Sequence, residues 1–302
     1  MKNQISGLIP AALTPFHANG DIHPEIIAQL YQHYRQNDLH SVFVNGSTGE
    51  FQALSFDERK ELVSAWSAVA EDDFSVIVHV GSCNLRESIK LAEHAADCGA
   101  AAISILSPYY FKPATLDSLI HCCATVANAV DVPFYYYHLP VLTGVNFPMI
   151  QFLEQAPQRI NNFAGIKYSA PDFIDFRQCL MYQNQRYDVF FGVDEMMISA
   201  LALGSKGAVG STYNYMSDLF IQMMDSFEKG DHETAAHLQE KANQYIQVLA
   251  KFGYSAASKA VLKMQGVDCG TVRLPFRNIS DQQVLALEQE LQQIGFFEFA
   301  GV

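Results

Sequence analysis

Short apolar runs recur along the chain, and stretches that carry helix signals separate them. Strands that alternate with helical patterns are typical of βαβ units and of a parallel sheet. Eight such units within about 215 residues predict a (β/α)8 TIM barrel of the α/β class. The eight runs predicted as strands are Leu8–Thr14, Ser41–Val44, Phe74–Val80, Ala101–Leu106, Pro133–Tyr137, Phe163–Lys167, Tyr187–Phe191 and Gly207–Gly210.

The segments between the runs hold signals that begin and end helices. Ser55-Phe56-Asp57-Glu58 has the spacing of a capping box, in which Ser55 caps the helix and Glu58 reaches back to it. The helix that it starts is predicted to run to about Ala70. Leu85–Cys98 is followed by Gly99, and glycine is a common C-terminal stop for a helix.

The chain continues well beyond the eighth predicted strand. Tyr215–Glu228 is predicted to complete the barrel, and three further helices follow at His232–Phe252, Ser255–Met264 and Asp281–Ile294. No long linker or low-complexity tract separates them from the barrel. We therefore predict a barrel over residues 1–230 and a C-terminal helical extension over residues 231–302 that packs on it.

Composition and charge narrow the classes of function. The chain has 302 residues, of which 49% are hydrophobic and 17% are charged, an ordinary composition for a globular protein. Its net charge of −13 argues against a nucleic-acid partner. Met1–Gly7 lacks the apolar segment of a secretory signal, and no apolar run approaches the roughly 20 residues that span a bilayer. We expect a cytoplasmic protein that makes no membrane contact.

The spacing of cysteines and histidines indicates neither disulfides nor a metal site. The six cysteines include no Cys-x-x-Cys pair. The ten histidines include no His-x-x-x-His or His-Glu-x-x-His spacing. We expect reduced thiols, no metal and no cofactor.

A tyrosine and a lysine end two of the predicted strands. Tyr137 ends the fifth strand and Lys167 ends the sixth, and active sites of this fold are built at the C-terminal ends of the strands. A desolvated lysine can lose its proton and attack a carbonyl, and a neighbouring phenol can transfer protons. The pairing indicates carbonyl chemistry through an imine, although a tyrosine with a satisfied hydroxyl is also an ordinary core residue.

Alternation along the strands predicts which side chains share a face. Lys167 is expected to lie on the same face as Phe163 and Gly165, with Gly165 leaving space beside the amine. Ile166 suits the opposite face, which packs against helices. The alternative is a lysine that extends outward between the helices.

A glycine-rich loop follows the second predicted strand. In Gly46-Ser47-Thr48-Gly49-Glu50, the two glycines permit a tight turn. Amide groups and the hydroxyls of Ser47 and Thr48 can hold a carboxylate there. The alternative is an ordinary turn that ends in a helix cap.

Two further strand ends carry polar groups. Asp194 and Glu195 follow the seventh strand, where they can bind the hydroxyl groups of a polyol or cap the next helix. Ser211 belongs to a cluster of small hydrogen-bond donors, Gly210–Asn214, after the eighth strand.

With these residues assembled, the chain resembles the class I aldolase superfamily of N-acetylneuraminate lyase and dihydrodipicolinate synthase. The resemblance runs from Gly7–Phe16 to the helical tail. Within the superfamily, the lyase branch fits best, on the segments Phe134–Gly144, Phe191–Glu195 and Gly207–Tyr215. The dihydrodipicolinate branch carries an arginine near the loop after the fifth strand, where this chain has Val141-Leu142-Thr143.

The resemblance implies reversible cleavage of N-acetylneuraminate to N-acetylmannosamine and pyruvate, without a metal or organic cofactor. Lys167 matches the Schiff-base lysine and Tyr137 the proton-transfer tyrosine. The residues implied to bind substrate are Ser47, Thr48, Ser169, Gly192, Asp194, Glu195, Ser211 and Tyr110. Many bacterial lyases have threonine where Ser169 stands, and serine keeps the hydroxyl.

A homotetramer is implied as well, because Tyr110 matches a tyrosine that reaches a neighbouring subunit's site in relatives. Two alternatives stay open. One is a pyruvate-dependent aldolase for another 2-keto-3-deoxy sugar acid, and the other is a non-catalytic sugar-acid binding protein.

Overall fold

The computed structural model of the protein describes residues 5–299. The outer ends of the two predicted segments, residues 1–4 and 300–302, lie outside the described residues. Eight parallel strands form one sheet in the order β1-β8-β7-β6-β5-β4-β3-β2. The predicted (β/α)8 barrel is thereby confirmed. The strands β1 to β8 are Gly7–Pro10, Ser41–Val44, Ser75–His79, Ala102–Leu106, Phe134–His138, Phe163–Tyr168, Asp188–Phe191 and Gly207–Gly210.

The sheet closes between its first and second strands. Ala11 forms an isolated parallel bridge with Phe43 of β2, and the Ala12 amide donates to the Phe43 carbonyl at 2.9 Å. β1 ends at Pro10, earlier than predicted, because the chain beyond Ala11 leaves the ladder with β8. The hydroxyl of Thr14 instead donates to the Gly49 carbonyl. The first βα segment therefore crosses the C-terminal end of the barrel.

Twelve α-helices are assigned among residues 5–299, and the predicted capping box is confirmed. The Ser55 hydroxyl accepts from the Glu58 amide, and the Glu58 carboxylate accepts from the Ser55 amide. The helix after β3 ends before Gly99, which takes a φ of 77°. Helices α1 to α12 are Ile27–Gln36, Phe56–Val69, Leu85–Asp97, Leu116–Ala127, Pro140–Thr143, Met149–Gln155, Phe173–Met181, Met197–Ala202, Ser217–Glu228, His232–Lys251, Tyr254–Met264 and Asp281–Gln293.

Side chains of the barrel separate into an inner and an outer layer. Tyr135 and Tyr137 belong to the cluster inside the barrel, whereas Tyr136 belongs to the larger cluster between strands and helices. Ile166 also packs in the outer cluster. This alternation is the one that the sequence predicts for the fifth strand and for Ile166.

An irregularity in β6 corrects the predicted position of Phe163. Phe134 pairs with Phe163, but Tyr135 pairs with Gly165, so Ala164 is an extra residue on β6. Phe163 packs against the outer cluster and Ala164 against the inner one. The prediction that Phe163 shares a face with Lys167 was wrong, because the extra residue shifts the alternation.

The predicted space beside Lys167 comes from a different glycine. A Cβ on Gly165 would overlap the backbone of Asp188 on β7. Gly165 therefore permits close approach of two strands. Gly192, after β7, faces Lys167 instead, because a Cβ there would lie 3.5 Å from the lysine Cε.

The C-terminal helices pack on the barrel. Helix α10 contacts α8, α9 and the turn Asp194–Met196, and α11 and α12 pack against α10 and against each other. The division of the chain at residue 230 stays a prediction. Among residues 5–299, no helix combines the length and the apolar character needed to cross a membrane.

Candidate active site

Lys167 lies inside the barrel, beside Tyr137. The two residues are register partners on β5 and β6, and only 4% of the surface of Lys167 is exposed. Its Nζ lies 4.1 Å from the ring centroid of Tyr137 and 4.3 Å from that of Phe43. Lys167 forms no ion pair with any residue that the structure describes. The amine is therefore held by aromatic faces and is not neutralised by a carboxylate.

An open pocket of about 330 Å³ surrounds the amine at the C-terminal end of the strands. Eight of the ten site residues predicted from the sequence line it. These are Thr48, Tyr137, Lys167, Ser169, Gly192, Asp194, Glu195 and Ser211. The two that do not line it are Ser47 and Tyr110.

The glycine-rich loop after β2 forms a tight turn at one side of the pocket. The Glu50 amide donates to the Ser47 carbonyl at 3.1 Å, and the Thr14 hydroxyl donates to the Gly49 carbonyl at 2.7 Å. Asn45 and Glu50 at its ends take φ values of 55° and 56°. The Ser47 hydroxyl is buried and has no hydrogen-bond partner among residues 5–299. A buried donor without a partner suits a substrate oxygen, because leaving it unpaired is unfavourable.

Ser169 and Gly192 form the wall opposite this loop. The Ser169 hydroxyl is buried and lacks a partner within the described part of the chain. A Cβ on Gly192 would overlap that hydroxyl. The glycine therefore keeps the Ser169 hydroxyl and the Lys167 side chain accessible from the pocket.

Asp194 links the end of β7 to the turn after β8 through hydrogen bonds. Its Oδ2 accepts from the Thr212 amide at 3.0 Å and from the Thr212 hydroxyl at 2.7 Å. Burial raises the pKa of Asp194, and the bonds from Thr212 and the charge of Lys167 oppose that rise. The side chain does not cap the turn Asp194–Met196 in which it lies. It joins the end of β7 to the turn after β8.

Glu195 is exposed at the rim of the pocket, and helix α10 holds its backbone. Asn243 donates through Nδ2 to the Glu195 carbonyl at 3.2 Å. Gln239 donates through Nε2 to the Asp194 carbonyl at 3.1 Å. The main chain of this turn is thus fixed by the extension.

The extension also supplies part of the pocket wall, which sequence reasoning missed. Ile246 and Ala250 of α10 and Tyr254 at the start of α11 line the cavity, together with Leu139 after β5. The Tyr254 hydroxyl lies 2.8 Å from the hydroxyl of Ser211. Helix periodicity predicts which positions of a helix are apolar but not what they pack against. The sequence therefore offered no signal that these side chains line the pocket.

Tyr110 lies apart from the pocket of its own chain. It is 77% exposed, and its ring packs edge-on against Phe111, which is 87% exposed. Such large exposed aromatic side chains are typical of surfaces that meet another protein.

One group of potential metal ligands occurs within the described range of the chain. The ligand atoms of His17, His23 and Glu25 lie within 4.8 Å of one another. None of these residues lines the pocket around Lys167. The six cysteines are free thiols.

Comparisons with known proteins show which family the chain matches. The profile of the "Dihydrodipicolinate synthetase family" matches residues 4–294. N-acetylneuraminate lyase of Rattus norvegicus is 37% identical over 307 residues, covering 100% of this chain and 96% of the relative. The enzyme of the same name from Homo sapiens is 37% identical over 304 residues, covering 99% and 95%.

Two solved structures superpose over nearly the whole chain. N-acetylneuraminate lyase of Proteus mirabilis gives a TM-score of 0.94 at 34% identity, covering 97% of this chain and 100% of that one. The N-acetylneuraminate lyase, or sialic acid aldolase, of Aliivibrio salmonicida gives 0.94 at 34% identity, covering 97% and 98%.

Proposed function

This chain belongs to the dihydrodipicolinate synthetase family, and from that premise we propose that it is a carbon–carbon lyase of the class I aldolase type. Its reaction is the reversible cleavage of N-acetylneuraminate to N-acetylmannosamine and pyruvate. The observation that carries the proposal is the buried, unpaired amine of Lys167 beside Tyr137, at the strand ends of a barrel related to sialic acid aldolases.

The first step is formation of an imine. The neutral amine of Lys167 attacks the C2 ketone of the open-chain sugar acid, and the carbinolamine loses water. Lys167 has no carboxylate within 4.0 Å among residues 5–299, so no ion pair competes with the substrate carbonyl for the amine. The rings of Phe43 and Tyr137 pack around the amine and exclude water from those sides.

The second step breaks the bond between C3 and C4. The protonated imine accepts the electron pair of this bond and becomes an enamine, while the C4 hydroxyl loses its proton and C4 becomes an aldehyde. Tyr137 receives that proton, with the substrate carboxylate or Thr48 completing the relay. Protonation of the enamine at C3 and hydrolysis then release pyruvate. The protonated imine is the electron sink, so the mechanism calls for no metal or organic cofactor.

The carboxylate of the pyruvoyl part is assigned to the loop after β2. The protein carries a net charge of −13, so an anionic substrate must be attracted locally. The Ser47 hydroxyl, the Thr48 side chain and the backbone amides of the turn supply neutral donors for this purpose. Ser169 offers a further hydroxyl near Lys167.

The hydroxylated tail of the sugar is assigned to the opposite rim of the pocket. Gly192, Glu195 and Ser211 line that side, and a carboxylate such as that of Glu195 can accept hydrogen bonds from sugar hydroxyls. Asp194 is buried and engaged by Thr212, so its main contribution is the placement of the turn beside the sugar. A shorter 2-keto-3-deoxy sugar acid would leave Glu195 unused, which makes another aldolase the weaker candidate.

Assembly into a homotetramer completes the proposal. Apolar side chains are exposed on the loop after β4, at Tyr110 and Phe111, and after β5, at Val141 and Leu142. The two loops are neighbours, because Lys112 lies against Gly144. A second subunit would cover them and bring Tyr110 near the partner's pocket. We also propose a cytoplasmic location, where the six free thiols of this chain would stay reduced.

Trapping of the imine tests the proposal. Incubation with pyruvate and borohydride should attach a covalent three-carbon adduct to Lys167, which peptide mass spectrometry can locate. Lys167→Ala should lose both the adduct and cleavage of N-acetylneuraminate while keeping its thermal melting transition. An adduct on another lysine would refute the role of Lys167, and the absence of any adduct in the wild-type enzyme would favour a binding protein.

A further inference from the structure

A buried ion pair lies outside the pocket and links the glycine-rich loop to the C-terminal extension. Glu50 ends the loop after β2, and Lys259 lies on α11. The side chains are 1% and 2% exposed, and Lys259 Nζ lies 3.2 Å from Glu50 Oε1. Neither residue has a part in the proposed chemistry, and neither lines the cavity around Lys167.

The lysine is bound on several sides. Its Nζ donates to the carbonyl of Thr14 at 2.7 Å and to that of Thr271, and it lies 4.3 Å above the ring of Phe16. Thr14 in turn donates its hydroxyl to the Gly49 carbonyl. Lys259 therefore reaches the loop by two routes, directly through Glu50 and indirectly through Thr14.

The glutamate is bound equally closely. Its second oxygen, Oε2, accepts from the Arg273 amide at 2.9 Å. The Arg273 side chain continues to the carbonyls of Gly20 and Ala53 and to the carboxylate of Glu58 at the start of α2. Both carboxylate oxygens of Glu50 thus contact groups of the C-terminal extension.

The backbone at Glu50 explains why such a network is needed. Glu50 takes a φ of 56°, a left-handed conformation that is unfavourable for a residue with a side chain. Conformations of this kind persist only where surrounding contacts impose them. The turn at Glu50 also sets the preceding residues, because its amide donates to the Ser47 carbonyl.

An ion pair is not the simplest way to fill this space. Removing two charges from water costs much of what their attraction returns, and apolar residues of similar size often pack at least as stably. What the pair supplies is a defined geometry, since each charge must meet specific partners. We expect this geometry to fix the backbone at Ser47 and Thr48, which lie three and two residues before Glu50.

We propose that Glu50 and Lys259 are positioning residues through which the C-terminal extension holds the loop that binds the substrate carboxylate. The inference rests on the proposed function, because it assigns the pair to carboxylate binding in that same pocket. It predicts that loss of the pair weakens binding of pyruvate and leaves the reactivity of the Lys167 amine in place.

The experiment compares two ketones in borohydride trapping at Lys167. Pyruvate has a carboxylate for the loop to hold, whereas acetone is a methyl ketone without one. In Lys259→Met and in Glu50→Gln, the half-saturating concentration of pyruvate should rise about tenfold or more. This is the effect expected when the displaced loop loses one charge-assisted hydrogen bond to the substrate carboxylate. Trapping of acetone should change less than about twofold, because imine formation itself does not use the loop.

Lys251→Met is the matched control. Lys251 lies on α10 and pairs with Glu290 of α12 at 2.7 Å, but both side chains are exposed at 61% and 38%. Removal of this surface pair should leave both trapping reactions unchanged. If Lys259→Met fails to fold, Glu50→Gln carries the same comparison, because it keeps the size of the side chain.

The outcomes distinguish failure of the positioning role from failure of the proposed function. Unchanged pyruvate half-saturation in the folded variants, or equal weakening of pyruvate and acetone, overturns the positioning role. Absence of any adduct in the wild-type enzyme overturns the proposed function instead. A selective loss for pyruvate supports the pair as the link between extension and loop.

Discussion

At the scale of single residues, the environment of Lys167 distinguishes it from other buried cations of this protein. Arg59 is also buried, but it donates to the carbonyls of His79 and Gly81, and Lys259 has a carboxylate partner. Lys167 has aromatic rings and a cavity around it. A cation whose partners are all rings is available for chemistry, whereas the other two are held in place.

Tyr137→Phe tests the proton-transfer assignment. The change removes only the hydroxyl, so the rings around Lys167 stay packed and the pyruvate imine should still form. Cleavage of N-acetylneuraminate should fall roughly 10²–10⁴-fold, the usual contribution of a general acid or base. Steady-state kinetics and borohydride trapping measure the two steps separately. Turnover close to that of the wild type would show that another group moves the proton.

Glu195→Gln tests the assignment of the sugar tail. Loss of a charge-assisted hydrogen bond should lower kcat/KM for N-acetylneuraminate roughly 10- to 150-fold, while trapping of pyruvate at Lys167 stays nearly unchanged. Glu233→Gln, an exposed position on α10, is the control and should behave like the wild type. Unchanged cleavage of the sugar acid would show that the Glu195 carboxylate does not bind the tail, and loss of pyruvate trapping would indicate a structural role.

At the scale of elements, the ends of the strands carry groups whose ionisation contributes to stability. His138 ends β5 and is 1% exposed, with its ring 5.1 Å from the ring of Tyr168. Burial lowers the pKa of His138 from 6.5 to about 4, although the charge of Asp172 opposes the shift. The folded protein therefore holds this ring neutral at pH values where the unfolded chain protonates it.

This difference predicts how the free energy of unfolding depends on pH. Below pH 6.5 the unfolded state binds a proton that the folded state rejects, so stability falls as the pH falls, until about pH 4. Between pH 7 and pH 4.5 the contribution of His138 is about 2–3 kcal/mol. In His138→Phe, the free energy of unfolding should fall by about 2–3 kcal/mol less than in the wild type between pH 7 and pH 4.5. Denaturant unfolding at one protein concentration measures both proteins. Parallel pH profiles of the two proteins would contradict the assignment.

At the scale of the whole molecule, net charge and exposed apolar side chains have opposite effects on association between copies of the chain. The charge of −13 discourages nonspecific association. Tyr110 and Phe111 nevertheless stand exposed at the end of the barrel that holds the pocket. A specific contact with a second copy would cover them, in agreement with the proposed homotetramer.

Light scattering tests this arrangement. The wild type should be a tetramer at micromolar concentration, and the double variant Tyr110→Ala/Phe111→Ala should shift towards smaller species with reduced activity. Leu285→Ala is the control, because Leu285 is 58% exposed on α12, far along the chain from these loops. A fully active wild-type monomer would contradict the assembly and the part assigned to Tyr110.

Much of this protein was determined by local sequence. The alternation of apolar runs and helix signals predicts the barrel, because a short apolar run and the caps of a helix are set by residues close together in the chain. The strand-end position of Lys167 and Tyr137 follows from the same pattern. Eight of the ten predicted site residues accordingly meet in one pocket, and their roles stay predictions.

The tertiary structure decided what depends on contacts between distant segments. The extra residue Ala164 in β6, which turns Phe163 outward, follows from pairing with β5. The bond between Asp194 and Thr212, and the wall formed by Tyr254, join segments that only the closed barrel brings together. The pair Glu50 and Lys259 is the clearest case. In the sequence, each residue resembles an ordinary charged residue of a loop or a helix. Only the folded chain buries the two charges against each other, because the partners are over two hundred residues apart in the sequence.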